Sequence, residues 1–237
     1  PAGLNPEQKR EWIFQRFVKD HYRALFGVDE NLGRVLEYLD ETGLSEDTLV
    51  IHTSDNGYFL GEHGWYDKRF MYEPSFRVPL LIRFPRLRRA GLVVSAFVAN
   101  IDYAPTIVDF AGLKIPETMQ GRSLRPLLEG DLPEDWRTAV YYAYFEDSWR
   151  LRHVAREQMT EPGFRYFTPH RVGPHRGVRT ERYKLIEYSS EGDYWELFDL
   201  GIDWHELHNL AGQAEYRELM RELQQQLRQL REQYRDL

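Results

Sequence analysis

The stretch Thr48-Leu-Val-Ile-His-Thr53, followed directly by Ser54-Asp55-Asn56-Gly57, decides how this chain is interpreted. Its first part is a short run rich in β-branched residues, which is typical of a buried strand. Asp55 and Asn56 therefore lie just past the carboxyl end of a strand. Ligands bind at this edge of open α/β sheets, because the loops there form the crevice. The sequence thus predicts a ligand site directly after this strand.

The loop that continues this stretch is rich in glycine and carries His63 and Lys68. The carboxylate of Asp55 and the amide of Asn56 offer oxygen ligands that suit a hard cation such as Ca²⁺, although Mg²⁺ or Mn²⁺ also binds oxygen sites. The ammonium group of Lys68 suits an anionic substrate group. Asp-Asn-Gly is also ordinary turn chemistry, and most lysines are solvated surface residues. These residues alone therefore leave both interpretations open.

Composition excludes several classes of protein. The chain has 237 residues, and its 42% hydrophobic content is ample for a packed core. Its net charge of -7 argues against a general nucleic-acid or acidic-membrane surface. It contains no cysteine, so a disulfide framework, a thiolate metal site and a thiol nucleophile are excluded. No apolar run is long enough to span a membrane. Because the first residue is Pro1, we expect a processed chain or part of a longer protein, and the compartment stays open.

The first half of the chain predicts helices and strands in the order of an α/β domain. A long helix is expected over Pro6–Thr42, and its apolar stripe is expected to contact the core. That stripe consists of Leu25, Val28, Leu32, Val35 and Leu39. A second buried strand is expected over 77–84, a weaker third strand over 93–98, and a helix over 103–111 with Asp102 as its N-cap. This order indicates part of an α/β sandwich.

The second half has a different texture, starting near Lys114. A short helix is expected over 123–128, then three strands over 139–145, 182–188 and 195–200, the last two forming a hairpin. The segment 150–176 reads as a long surface loop. A final amphipathic helix is expected to dock on the small sheet rather than form a coiled coil, because its stripe spans under three heptads. The members of that stripe are Tyr216, Met220, Leu223, Leu227, Leu230 and Tyr234.

Several motifs in fixed order resemble the formylglycine-dependent sulfatases, and they look most like the bacterial N-acetylglucosamine-6-sulfatases and mucin-desulfating sulfatases. The resemblance covers essentially the whole chain. The motifs are Leu32-Gly-Arg-Val-Leu-Glu-Tyr-Leu-Asp40, Thr48-Leu-Val-Ile-His-Thr-Ser-Asp-Asn-Gly57, Gly61-Glu-His-Gly-Trp-Tyr-Asp-Lys-Arg-Phe-Met-Tyr-Glu73, Arg77-Val-Pro79, Gln120-Gly-Arg-Ser-Leu124 and Gly177-Val-Arg-Thr-Glu-Arg-Tyr-Lys-Leu-Ile186.

The resemblance implies a fold and a division of the chain. It implies part of an alkaline-phosphatase-like α/β sandwich over residues 1–115, followed by a smaller α+β domain over 116–237 with an antiparallel sheet and a C-terminal helix. The formylglycine nucleophile of the family arises in a C/S-x-P-S-R motif near the N-terminus, and no residue here matches it. The chain is therefore expected to be the C-terminal part of such an enzyme, inactive alone and partnered by the missing N-terminal half.

The resemblance also implies roles for individual residues. Asp55 and Asn56 match the family's second pair of metal ligands, which usually hold calcium, although close relatives often carry Gln at the second position. Lys68 matches the lysine that contacts the sulfate, and His63 is either a proton or hydrogen-bond donor near the site or a residue that braces the loop. His175 is a candidate sugar contact, and His170, Arg171 and Arg176 add positive charge around it. We further expect an ion pair between Arg69 and Glu73.

The function implied is hydrolysis of sulfate esters on a sulfated sugar or glycan, in the periplasm or outside the cell. Two alternatives stay open: a phosphodiesterase or phosphonate hydrolase of the same superfamily, and a non-catalytic glycan-binding chain. No nucleic-acid partner and no membrane span are expected. An apolar face left uncovered in this chain would make it poorly soluble or oligomeric.

Overall fold

The structure, a computed structural model, describes residues 3–87, 90–146, 172–189 and 194–236. The helices in these ranges are α1 (Pro6–Glu41), α2 (Glu73–Phe76), α3 (Tyr103–Phe110), α4 (Arg125–Glu129) and α5 (Arg217–Gln233). The strands are β1 (Val50–Thr53), β2 (Leu80–Arg83), β3 (Ala139–Tyr144), β4 (His175–Thr180), β5 (Tyr183–Tyr188) and β6 (Tyr194–Asp199). None of the helices in these ranges is both long and apolar enough to cross a bilayer.

Helix α1 begins and ends as its sequence predicts. The side chain of Asn5 accepts a hydrogen bond from the backbone N–H of Gln8 at 2.9 Å, and the Gln8 side chain accepts one from the N–H of Asn5 at 3.1 Å. This reciprocal pair is a capping box, and Pro6 follows at the first helical position. At the other end Gly43 adopts a left-handed φ of 71°, which glycine tolerates best.

The prediction that α1 contacts the core is wrong for the described residues. No residue of the helix is buried, and Phe26 and Val35 are 71% and 53% exposed. Leu32 and Leu39 are half-buried. The periodicity shows correctly that one stripe of the helix is apolar, but periodicity cannot show what covers that stripe.

Strands β1 and β2 form a two-stranded antiparallel ribbon in which Val50 lies opposite Arg83 and Thr53 opposite Leu80. Both strands exist as predicted, but they are half-exposed or exposed rather than buried. The third predicted strand, over 93–98, is irregular, and Val93 is 91% exposed. A valine-rich run forms a strand only where it can pair with a neighbouring strand and pack against a surface. No described strand pairs with this run.

Helix α3 forms as predicted with Asp102 at its N-cap position, but the Asp102 side chain accepts no hydrogen bond from the helix. The fully buried carboxylate instead accepts hydrogen bonds from the backbone N–H groups of Ala99 and Arg122, both at 2.8 Å, and from the guanidinium group of Arg137. Asp102 therefore ties three separate parts of the chain together.

Helix α4 confirms the predicted short helix with a shift of one or two residues. Leu124 and Leu127 are buried there with Trp136, and Leu80 and Ile82 of β2 pack against this cluster. Through this small core the β1–β2 ribbon packs against the passage that leads into β3.

The remaining strands form one antiparallel sheet in the order β3-β4-β5-β6. The predicted hairpin is confirmed, with Tyr188 opposite Tyr194, while its turn at 190–193 lies outside the described residues. Strand β4 was not predicted, because its sequence His-Arg-Gly-Val-Arg-Thr lacks an apolar run. Its first two residues are the last two of the segment 150–176 that we expected to be a surface loop. The part of that segment up to residue 171 lies outside the described residues.

The two faces of the sheet contact different layers. On one face Val178, Leu185 and Leu197 form a core with Leu223 and Leu227 of α5, so the predicted docking of the last helix is confirmed. On the other face Ile186 and Phe198 pack around Met71. The loop that follows β1 is thus carried on the sheet face opposite α5.

Candidate functional site

Asp55 and Asn56 lie immediately after β1, where the backbone makes a tight turn. The Ser54 hydroxyl donates to the Asn56 carbonyl at 2.7 Å and lies 3.4 Å from the Asp55 carboxylate. Gly57 then donates its N–H to the Ser75 carbonyl at 2.8 Å, and a Cβ at this position would lie 2.1 Å from the Pro74 carbonyl oxygen. Only glycine fits at position 57, so the turn presenting Asp55 and Asn56 is held against the start of α2.

These two side chains suit part of a metal site. The Asp55 carboxylate is exposed and forms no ion pair with any described residue, and Asn56 adds an amide oxygen beside it. Ca²⁺ takes six to eight oxygen ligands, so two donors supply only part of a coordination shell. No cluster of three or more His, Asp or Glu side chains able to hold a metal occurs among the described residues.

Lys68 lies at the end of a loop held by backbone hydrogen bonds. The N–H of Phe59 donates to the Asp67 carbonyl at 2.8 Å, and the Tyr58 hydroxyl donates to the Tyr66 carbonyl at 3.0 Å. Lys68 is half-buried and forms no ion pair within the described ranges. Its role toward an anion stays a prediction.

The expected ion pair between Arg69 and Glu73 is wrong. Arg69 pairs with Asp67 at 2.7 Å, and Glu73 pairs with Lys184 at 2.8 Å. Arg69 itself adopts a positive φ of 106°, so the backbone turns within the motif. Position in the motif could not reveal this turn.

His63 lies in the same loop, stacked on Tyr72 at 4.5 Å between ring centroids and edge-on to Phe59. Burial lowers the pKa of this imidazole below its ordinary value. The ring borders an open cavity of about 790 Å³, which Arg77, Trp204 and His205 also line. No described hydrogen bond joins His63 to Lys68 or Asp55. This geometry fits the loop-bracing interpretation and leaves a donor role as a prediction.

His175 is fully buried, so its position does not fit the predicted sugar contact. Its ring lies among Tyr142, Tyr144 and Tyr188, and Nδ1 lies 2.9 Å from the Gly173 carbonyl oxygen. Burial lowers its pKa. Of the nearby cations, Arg176 is paired with Asp236 at 2.6 Å, and His170 and Arg171 lie outside the described residues.

The sequence interpretation missed a buried charged cluster next to the site. The ammonium group of Lys184, on β5, lies 2.8 Å from Glu73 and 2.6 Å from Glu206, and all three residues are buried. Burial raises the pKa of the Glu206 carboxyl, although Lys184 opposes that shift. The sequence offered one signal of this buried cluster. Lys184 lies within the otherwise apolar strand sequence Tyr-Lys-Leu-Ile, whose residues are mostly buried.

Comparison of the whole chain with solved structures shows an alkaline-phosphatase-like fold, as the sequence predicts. One match is the structure of a protein in complex with its substrate D-glucosamine-2-N,6-O-disulfate, with a TM-score of 0.87, 41% identity, and coverage of 99% of this chain and 44% of that one. Another is a phosphonate monoester hydrolase of Agrobacterium radiobacter, with a TM-score of 0.73, 31% identity, and coverage of 87% of this chain and 39% of that one.

The chain belongs to the sulfatase family. Residues 61–233 match the family model described as N-sulphoglucosamine sulphohydrolase, C-terminal, and residues 4–113 match the model described as Sulfatase. The sequence is 43% identical to the N-acetylglucosamine-6-O-sulfatase of Bacteroides thetaiotaomicron over 95% of this chain. It is 36% identical to the multifunctional alkaline phosphatase superfamily protein PehA of Trinickia caryophylli over 84% of this chain. The chain spans 37% of the length of each of these two relatives.

Proposed function

We propose that this chain is the C-terminal part of a sulfatase that hydrolyses sulfate esters of sulfated glucosamine. The observation that carries the proposal is the order Asp55, Asn56 and Lys68 at the end of β1 in a chain 43% identical to an N-acetylglucosamine-6-O-sulfatase. An oxygen donor pair and an ammonium group within one loop match the demands of sulfate ester cleavage, which needs negative charge on oxygen to be stabilised.

Within the proposed site each residue has a separate task. Asp55 and Asn56 hold part of the coordination shell of a divalent metal, for which Ca²⁺ is the first candidate. Lys68 neutralises the sulfate oxygens, and His63 braces the loop and offers a hydrogen bond at its rim. The formylglycine expected in the N-terminal half, when present, supplies the nucleophile that this cysteine-free chain lacks. His175 is omitted from the substrate contacts because its ring is buried.

The test is a steady-state assay of the intact protein encoded by the natural gene, with N-acetylglucosamine 6-sulfate as substrate. Lys68→Met should lower kcat/KM by about 10²–10³-fold, since one charge-stabilising donor is removed. Lys114→Met, at an exposed position in the passage after α3, is the matched control and should leave it unchanged. Equal activity of the two variants, or no sulfate release by the parent protein, would overturn the proposal.

A second candidate function has an observation in its favour. The phosphonate monoester hydrolase of Agrobacterium radiobacter shares the fold at 31% identity. The same preparation is therefore assayed with a phosphonate monoester beside the sulfated sugar. A kcat/KM that is higher for the phosphonate would favour this candidate over sulfate hydrolysis.

A further inference from the structure

The residues that directly follow Lys68 lie across one face of the four-stranded sheet. Because side chains alternate along a strand, the positions on this face form rows across the sheet. One row is Tyr142, Gly177, Ile186 and Glu196, and the next holds Arg179 and Lys184. All four strands thus present side chains to the segment Arg69–Glu73.

Three of these strands form direct hydrogen bonds with that segment. The Tyr142 hydroxyl on β3 donates to the Arg69 carbonyl at 2.5 Å, and the Lys184 ammonium on β5 donates to the Met71 carbonyl at 2.7 Å. Glu196 on β6 accepts a hydrogen bond from the Tyr72 hydroxyl at 2.7 Å. The sheet therefore binds alternate backbone carbonyls of the segment, starting one residue after Lys68.

Charge anchors the far end of the segment. Glu73 pairs with Lys184 and lies 3.5 Å from Arg179, while its backbone N–H donates to Glu206 at 2.6 Å. The cluster contains two cations and two carboxylates, so its charges balance. Such groups persist in a buried position because each has an opposite charge or a hydrogen bond beside it.

Packing restricts the centre of the segment. Met71 is fully buried, and a Cβ at position 177 would lie 2.2 Å from its sulfur atom. Arg69 is held at a φ of 106°, a region that non-glycine residues occupy only where their surroundings impose it. This conformation fixes the direction in which the chain leaves Lys68.

We propose that this sheet face, through Tyr142 and Lys184, positions Lys68 for its anionic ligand. Tyr142 and Lys184 are positioning residues, because they act on Lys68 through the carbonyls of Arg69 and Met71. The inference rests on the proposed function in one respect, the assignment of Lys68 to the sulfate group. The positioning itself is a property of this chain that is measurable without any substrate.

The sharpest test compares two neighbouring tyrosines. Tyr142→Phe removes the hydroxyl that donates to Arg69, whereas Tyr141→Phe removes a hydroxyl on the opposite face that donates to Asp236. Reductive ¹³C-methylation labels exposed lysines, and the chain has only Lys9, Lys19, Lys114 and Lys184 besides Lys68. Tyr142→Phe should shift the NMR signal of Lys68 and leave those of Lys9, Lys19 and Lys114 in place. Tyr141→Phe should leave the Lys68 signal unchanged.

Trypsin provides a second readout, since it cleaves after Lys68 and Arg69. Cleavage there should be about fivefold faster in Tyr142→Phe than in Tyr141→Phe, corresponding to the loss of one hydrogen bond from the closed segment. Lys184→Met should accelerate it further, and Lys184→Arg should restore part of the protection. Arg176→Met controls for loss of a cation from the same sheet, because Arg176 on β4 pairs with Asp236 on the face opposite the segment.

The inference is overturned if the Lys68 signal and the cleavage rate respond equally to Tyr142→Phe and Tyr141→Phe. A separate titration with N-acetylglucosamine 6-sulfate tests the ligand. Tyr142→Phe should weaken this affinity about fivefold while Ca²⁺ affinity is unchanged. Absence of sugar-sulfate binding by the intact protein encoded by the natural gene would count against the proposed function, whereas the NMR and trypsin results would still decide the positioning.

Discussion

Arg137 binds both carboxylate oxygens of Asp102, and that carboxylate is fully buried at the start of α3. Two backbone N–H groups complete its hydrogen bonds. The pair joins the α/β part of the chain to the passage that leads into the four-stranded sheet. Removing one partner would leave an uncompensated charge in the interior.

We therefore expect Arg137→Met to lower the free energy of unfolding by about 3–5 kcal/mol, the usual cost of breaking a buried ion pair. Urea denaturation followed by circular dichroism measures it. Arg23→Met is the control, because Arg23 pairs with the exposed Asp20, and we expect no resolvable change there. If both substitutions lowered the free energy of unfolding by similar amounts, the buried pair would stabilise the fold no more than an exposed pair.

Two glycines should respond to alanine with opposite signs. At Gly177 a Cβ meets the sulfur of Met71 at 2.2 Å and the Leu185 carbonyl oxygen at 2.6 Å. Gly177→Ala should destabilise the chain by about 1–3 kcal/mol through overpacking. Gly33, within α1, has no atom within 4 Å of a Cβ. Gly33→Ala should stabilise by about 0.5–1 kcal/mol. Thermal denaturation of the two variants measures both, and a shared sign would contradict the packing described.

The buried His175 should make stability depend on pH. Burial lowers its pKa from the ordinary value of about 6.5. The unfolded chain therefore binds a proton at pH values where the folded chain does not, so stability falls as the pH drops below about 6.5. His175→Phe should reduce that slope by up to about 1.4 kcal/mol per pH unit. Denaturation at several pH values between 5 and 7 measures it.

Tyr188→Phe is the control for this experiment, because it changes the same aromatic surroundings without changing the imidazole. Its slope should match that of the unsubstituted chain. If His175→Phe gave the same slope as well, the ring would not be the source of the pH dependence.

Metal binding should depend on the turn after β1. Asp55→Ala should weaken Ca²⁺ binding, measured by isothermal titration calorimetry, by about tenfold or more, since a charged oxygen ligand is lost. Asp131→Ala, at an exposed position after α4, removes the same charge elsewhere and should have no effect. If the two variants bind Ca²⁺ equally well, Asp55 is not a ligand.

The exposed side of α1 should promote self-association. Phe26, Val28 and Val35 are large apolar residues that no described residue buries, and such surfaces associate in water. Sedimentation velocity should reveal oligomers that Phe26→Glu and Val35→Glu reduce, while Lys19→Glu on the same helix does not. A chain that is monomeric at tens of micromolar without substitution would contradict this expectation.

Local signals in the sequence predict most of the elements. The limits of α1 follow from Pro6 and Gly43, and the hairpin of β5 and β6 follows from a polar turn between two apolar runs. These features depend on neighbours in sequence, which a local pattern records. Strand β4 was not predicted because one of its faces carries His175, Gly177 and Arg179 instead of apolar residues. These positions face inward because the segment Arg69–Glu73 packs against them.

The candidate site could be predicted only in part. Asp55, Asn56 and Lys68 are predicted from the resemblance of their motifs to those of the sulfatases, and their roles stay predictions. The contacts of the loop were not predictable in this way, because Lys184 and Glu73 are far apart in sequence and their pairing depends on the tertiary fold. His175 was misjudged for the same reason: its motif position indicates the right region, but only packing shows that the ring is buried.

The alternation of the two faces of the sheet restricts how this part of the protein can change in length. Inserting one residue within β5 would move Lys184 to the face that contacts α5 and bring Leu185 to the segment after Lys68. The packing against α5 and the packing against Met71 would then be lost together. Insertions and deletions are therefore expected to survive only in the turns between these strands.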